Sequence, residues 1–121
     1  MIEVELPVRI ESMNSTTTLR GTMRRKREQR ETIVYGLTAT RELRRSISAL
    51  RPPLLVTLTR VAPRLITDTH DNLPGGFKCA ADSVSKVLGI DDGDTARIRF
   101  VVQQEKRPKT YALRIRIEEV R

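Results

Sequence analysis

The sequence predicts an α+β fold, a small mixed sheet of about four strands with two main helices packed on it. Three observations carry this reading. Apolar residues alternate with polar ones near the two ends of the chain, the period of half-buried strands. Two interior stretches place apolar residues at helical spacing. The resulting order β, α, β, α, β, β is that of a sheet with its helices gathered on one face.

Ile2, Val4, Leu6, Val8 and Ile10 alternate with polar or turn residues and predict the first strand. The hydroxyl-rich segment from Glu11 to Gly21 has no period and predicts a loop. A helix is expected from about Met23 or Arg24, with Ile33, Leu37, Leu43, Ile47 and Leu50 on one broad face. Gly36 and the β-branched Ile33 and Val34 weaken it, and Pro52 and Pro53 end it, because the position before a proline disfavours helical backbone. Leu54 to Ala62 reads as the second strand. Pro74 fits the first turn of the next helix, with Asp71 or Asn72 as a cap, and Phe77, Ala81, Val84 and Leu88 supply its apolar stripe. Lys78, Asp82 and Ser85 share a different stripe. Gly89 followed by Ile90 predicts a Schellman ending. Ala96, Ile98, Phe100 and Val102 alternate, as do Tyr111, Leu113, Ile115 and Ile117. Together they predict a hairpin with a basic connection from Lys106 to Lys109.

With 121 residues, the chain suits a single domain spanning 1–121 that buries roughly two thirds of its unfolded surface. No stretch approaches the ~20 consecutive apolar residues of a membrane helix, and the start lacks the layout of an export signal. No membrane partner is expected. Cys79 as the only cysteine excludes an internal disulfide, and with His70 the only histidine a four-ligand zinc site cannot be assembled. A reducing, cytoplasmic setting is expected. His70 is read as an exposed loop residue and Cys79 as a small core filler. Two Phe, two Tyr and no Trp leave few rings for stacking unpaired bases, which disfavours a dedicated single-strand binder.

Charge is distributed unevenly. Between Arg20 and Arg51 ten basic residues face three glutamates, so seven of the eight net positive charges lie there. From Val61 to Asp94 three basic residues face six acids, all aspartate, and the chain has no aspartate elsewhere. A basic arm beside an aspartate cluster suits a polyanion held by one part and a hard cation held by the other. Composition alone equally allows a solvated helix and a turn-rich loop, since aspartate is a good turn residue. Asp68 and Asp71 precede the second helix, whereas Asp91, Asp92 and Asp94 follow it, so a single site requires the fold to bring its two ends together. Three converging carboxylates with no thiolate or imidazole would favour Mg²⁺ or Mn²⁺ over zinc.

Asp68, Asp71-Asn72-Leu73, Lys78 with Asp82, Gly89 and the Asp91-Asp92-Gly93-Asp94 turn resemble, in order, the motifs of the RusA-type Holliday junction resolvases, particularly small phage-borne members. Asn14 and the Met23 to Arg30 run resemble the N-terminal stretch of that family, so the similarity spans nearly the whole chain. Two features depart from it. The usual core is Asp-x-Asp-Asn-Leu, whereas Asp68 here precedes Asp71 by three positions, and Pro74-Gly75-Gly76 delays Lys78. The resemblance implies a homodimeric endodeoxyribonuclease that resolves Holliday junctions or other branched DNA by paired phosphodiester hydrolysis. It implies Mg²⁺, with Mn²⁺ as a substitute, on Asp71, Asp92 and Asp68, with Asp91 and Asp94 as competitors for the third place. Lys78 would stabilise charge on the phosphorane. Asp82 is expected to orient Lys78 or a nearby backbone group.

Arg20, Arg24, Arg25, Lys26, Arg27 and Arg30 are expected to contact phosphates without reading bases. Arg97, Arg99, Arg114 and Arg116 either add a second cationic surface or pair with Glu3, Glu5 or Glu118 across strands. Two other functions fit the residues. One is a noncatalytic basic nucleic-acid-binding protein with a degenerate metal site, and the other a module whose basic helix binds an acidic protein. Only the nuclease requires a divalent metal for an activity.

Overall fold

In a computed structural model the chain is α+β, with a four-stranded mixed sheet and its helices on one face. The structure describes residues 1–11, 19–67 and 72–120. The elements are β1 (Ile2–Leu6), α1 (Leu19–Thr38), α2 (Arg41–Ser48), β2 (Leu54–Ala62), α3 (Asn72–Gly76), α4 (Lys78–Leu88), β3 (Ile98–Lys106) and β4 (Ala112–Glu119). No described helix is long and apolar enough to cross a membrane. The loop expected over Glu11 to Gly21 lies largely outside the described residues, and the helix after it already begins at Leu19.

The sheet order is β1-β4-β2-β3. β4 is antiparallel to both neighbours, and β2 and β3 are parallel. The expected hairpin is therefore corrected: β3 and β4 are consecutive but unpaired, with β2 between them. Residues 107–111 pass over the end of β2, where the Arg107 N–H donates to the Ala62 carbonyl at 3.0 Å. Two strand spacings are about 10 Å, well within the reach of five residues. Periodicity states which residues face the core, but it is silent about the neighbouring strand.

The first long helix is likewise two. Thr40 is extended (φ −118°, ψ 152°), and its side chain accepts a hydrogen bond from the Leu43 N–H at 3.0 Å. It thus caps a new helix, and Ile47 turns inward from α2 beside Ile33 and Leu37 of α1. Gly36 faces β1, where an added Cβ would meet only the end of the Leu6 side chain.

The expected Pro74 to Leu88 helix also divides, into α3 and α4, with the buried Phe77 at the joint. The predicted Schellman ending is present. Gly89 is left-handed (φ 69°), its N–H donates to the Lys86 carbonyl, and the Ile90 N–H donates to the Ser85 carbonyl. The buried Ile90 completes it.

On the core face, Ile2, Val4 and Leu6 lie opposite Ile117, Ile115 and Leu113. Leu54, Val56 and Leu58, with Ile98, continue that layer beneath Ile33, Leu37, Phe77 and Val84. Each such side chain stabilises the fold by about 1.5–3 kcal/mol through burial. At the end of this layer Arg60 is held by carbonyls: its Nε donates to Ile10 (2.8 Å) and an Nη to Arg64 (2.7 Å). Burial lowers its pKa from the usual arginine value.

Gly76 is the tightest joint. A Cβ there would lie 2.2 Å from the backbone oxygen of Glu11, and backbone cannot rotate away. Gly76→Ala is expected to cost about 1–3 kcal/mol, read from the urea midpoint. Gly36→Ala should cost far less, because Leu6 can turn aside and alanine is the better helix former.

On the open face of the sheet, Arg114 lies between Glu5 (3.4 Å) and Glu105 (3.1 Å), and Arg107 bridges the same two carboxylates at 3.1 and 2.6 Å. Hydrogen bonds from Arg107 to Glu5, and from Arg114 and Arg107 to Glu105, hold both carboxyls below their ordinary value of 4.5. Carboxyls with lowered folded pKa contribute stability above the unfolded value, and that stability is lost as pH falls through the folded one. Wild type should therefore lose urea stability below about pH 4.5, and Arg107→Ala should lose less between about pH 6 and about pH 3. High salt should shrink the difference, since both acids are exposed.

Candidate active site

The turn after α4 assigns its three aspartates different tasks. The Asp91 carbonyl accepts from the Asp94 N–H (3.0 Å), and its Oδ1 accepts from the Gly93 N–H (3.1 Å). Its side chain is thus used to close the turn. Asp94 faces Arg97 at 3.9 Å. Asp92 is exposed and has neither bond.

Arg30, Asp82, Ser85, Lys86, Gly89, Ile90, Asp91 and Asp92 line an open groove of about 370 Å³ between α1 and the C-terminal end of α4. Asp82, Ser85, Lys86 and Gly89 follow one another at i, i+3, i+4 and i+7, one face of a helix. Asp91 and Asp92 stand at the negative pole of α4, where a cation is favoured, and Asp82 lies further back along the helix. Arg30 and Lys86 supply two positive charges from the walls. Ser85 is 5% exposed, and its Oγ has no hydrogen-bond partner.

Asp68, His70 and Asp71 lie outside the described residues. Lys78 is the first residue of α4 and is exposed. Asp92 follows the other end, so the axis of α4, about 15 Å at 1.5 Å per residue, separates these two expected site residues. Asp82 lies one turn beyond Lys78, but no ion pair joins them. It faces the groove with Asp92 instead. The structure thus brings Asp92 together with Arg30 and Asp82, and does not bring Lys78 to them. Among the described residues no group of three His, Cys, Asp or Glu is close enough to hold a metal.

Arg24, Arg25, Lys26, Arg27 and Arg30 are exposed along the middle of α1, which has no acidic residue in its first turn. The side chain of Arg20 lies outside the described residues. Arg25 pairs with Glu11, whereas among the described residues no ion pair holds Arg24, Lys26, Arg27 or Arg30. Cys79 is half-buried rather than a core filler, and its Sγ lies 3.4 Å from the Lys26 carbonyl, tying α4 to α1.

Of Arg97, Arg99, Arg114 and Arg116, only Arg114 follows the cross-strand alternative, facing Glu3 and Glu5 as well as Glu105; Arg116 faces Glu118 of its own strand at 3.9 Å, and Arg97 faces Asp94. Sequence reading had set Ser85 beside Asp82 on one stripe. It missed the approach of Arg30, 52 positions before Asp82, because no local signal reports helix pairing. No family model and no curated protein matches the chain.

Proposed function

We propose that the chain is a divalent-metal-dependent endodeoxyribonuclease that resolves Holliday junctions and related branched DNA as a homodimer. The observation that carries this reading is the groove lined both by Arg30, from the basic helix, and by Asp92. A phosphate-binding surface and a carboxylate able to ligate a cation thereby adjoin each other.

The donors fit a hard cation: the groove is lined by the carboxylates of Asp82, Asp91 and Asp92 and by no thiolate or imidazole. Asp91 closes its own turn and Asp94 faces Arg97, which favours Asp92 as the turn's ligand. Asp68 and Asp71 would complete the set for Mg²⁺ or Mn²⁺. When bound, the metal supplies a water acidified toward neutrality and charge neutralisation at the leaving oxygen. The chain's own part is to bind and orient. Arg24, Arg25, Lys26 and Arg27 hold backbone phosphates and Arg30 turns one toward the groove, whereas Lys78, a helix length from Asp92, takes no part at the groove. Shape rather than sequence would select the DNA, since phosphate contacts carry no base information.

A noncatalytic basic nucleic-acid-binding protein is the second reading. The separation of Lys78 from Asp92 along α4 favours it, as does the lack of a three-ligand group among the described residues. Labelled four-way junction and linear duplex, each with and without Mg²⁺, discriminate the two. The nuclease nicks the junction only with metal. Binding with no cleavage in either Mg²⁺ or Mn²⁺ would establish the second reading.

A further inference from the structure

β3 is an edge of the sheet, and its outer side is a row of free backbone groups. The Leu54 N–H donates to the Arg97 carbonyl (2.8 Å), and the Arg107 N–H donates to the Ala62 carbonyl (3.0 Å). The parallel ladder to β2 therefore takes the odd-numbered residues of β3. The N–H and C=O groups of Phe100, Val102 and Gln104 point the other way, and among the described residues no backbone bond reaches them. All nine residues of β3 keep unbroken register with β2, without a bulge or proline. Such an edge is a template for another strand. The opposite edge, β1, has only five residues and is followed by Pro7.

The side chains are laid out symmetrically about Val102. Arg99 precedes it by three positions and Glu105 follows it by three. In an antiparallel pair of two β3 strands, outward-pointing residues must lie opposite outward-pointing residues. The arrangement that uses all nine centres a twofold axis on Val102. Phe100 then faces the partner's Gln104, and Arg99 faces the partner's Glu105, twice over. Arg99 is exposed, and among the described residues no ion pair holds it. Glu105, although bonded to Arg107 and Arg114, keeps 38% of its side chain exposed. The partly exposed Val101, at 39%, is covered in the same contact.

We infer that two copies of this chain pair through β3, antiparallel about Val102, to form a continuous eight-stranded sheet. The twofold arrangement of charge fits a second copy, because a strand from another protein would need no such symmetry. The inference supplies a surface for the homodimer of the proposed function. Its test reads mass without DNA or metal, so it stands or fails apart from the nuclease.

Sedimentation equilibrium of the full chain tests it. Wild type should be dimeric. Arg99→Glu places like charges opposite each other at two positions and should weaken the dimer at least about tenfold. Glu105→Arg should do the same. An equimolar mixture of these two variants should dimerise again, since both positions then carry opposite charges. Val102→Pro removes an N–H that β2 does not use, so it should abolish the dimer while circular dichroism stays native. A wild type that remains monomeric at its highest soluble concentration would leave the edge to a strand of another protein and overturn the inference. Wild-type dimerisation by folded Arg99→Glu and Val102→Pro would overturn it too, as would a mixture that does not recover.

Discussion

Asp71→Asn and Asp92→Asn are each expected to reduce junction cleavage at least about a thousandfold, a loss of roughly 4 kcal/mol of transition-state stabilisation, while junction binding is kept or tightened. Asparagine preserves shape and removes the anionic oxygen that a hard cation requires. It also removes a charge that repels phosphate. Asp94→Asn should be milder, because Asp94 faces Arg97. Asp91→Asn should change little, since the amide oxygen can still accept from the Gly93 N–H. Single-turnover cleavage beside gel-shift binding in Ca²⁺ separates the two effects. Near-normal nicking by Asp92→Asn would remove that residue from the mechanism, and near-normal nicking by both variants would remove the metal mechanism itself.

Replacing Arg24, Arg25 and Arg27 together with alanine is expected to flatten the dependence of junction affinity on salt. Each phosphate contact contributes about −0.9 to the slope of log affinity against log salt. Three contacts make the change close to 2.7, or roughly fortyfold less sensitivity between about 50 and about 200 mM salt. Arg25 already pairs with Glu11, so a change nearer 1.8 would mean that its charge is spent inside the chain. Titrations at several salt concentrations give the answer. An unchanged slope would move the DNA surface to the exposed Arg41, Arg44 and Arg45 of α2. Arg114 and Arg116 are poorer candidates, because glutamates already face them.

By itself the sequence determined what local rules govern. Alternation located core-facing residues of β1, β3 and β4, since side chains in a strand change face at every step. Gly89-Ile90 announced the end of α4, because a left-handed backbone position suits glycine and the next residue returns to the core. The α+β class followed from the order of these pieces. The basic half of α1 and the confinement of aspartate to one third of the chain were equally legible. Tertiary structure decided what depends on residues distant in the chain. Thr40 and Phe77 each divide a stretch that periodicity joined, because a cap and a packed joint act against a continuous apolar stripe. β2 separates β3 from β4, since the parallel pairing of β2 with β3 occupies the place a hairpin would have taken. Arg30 shares a groove with Asp82 and Asp92 only because α1 packs on α4, whereas the helix length between Lys78 and Asp92 is that of α4 itself.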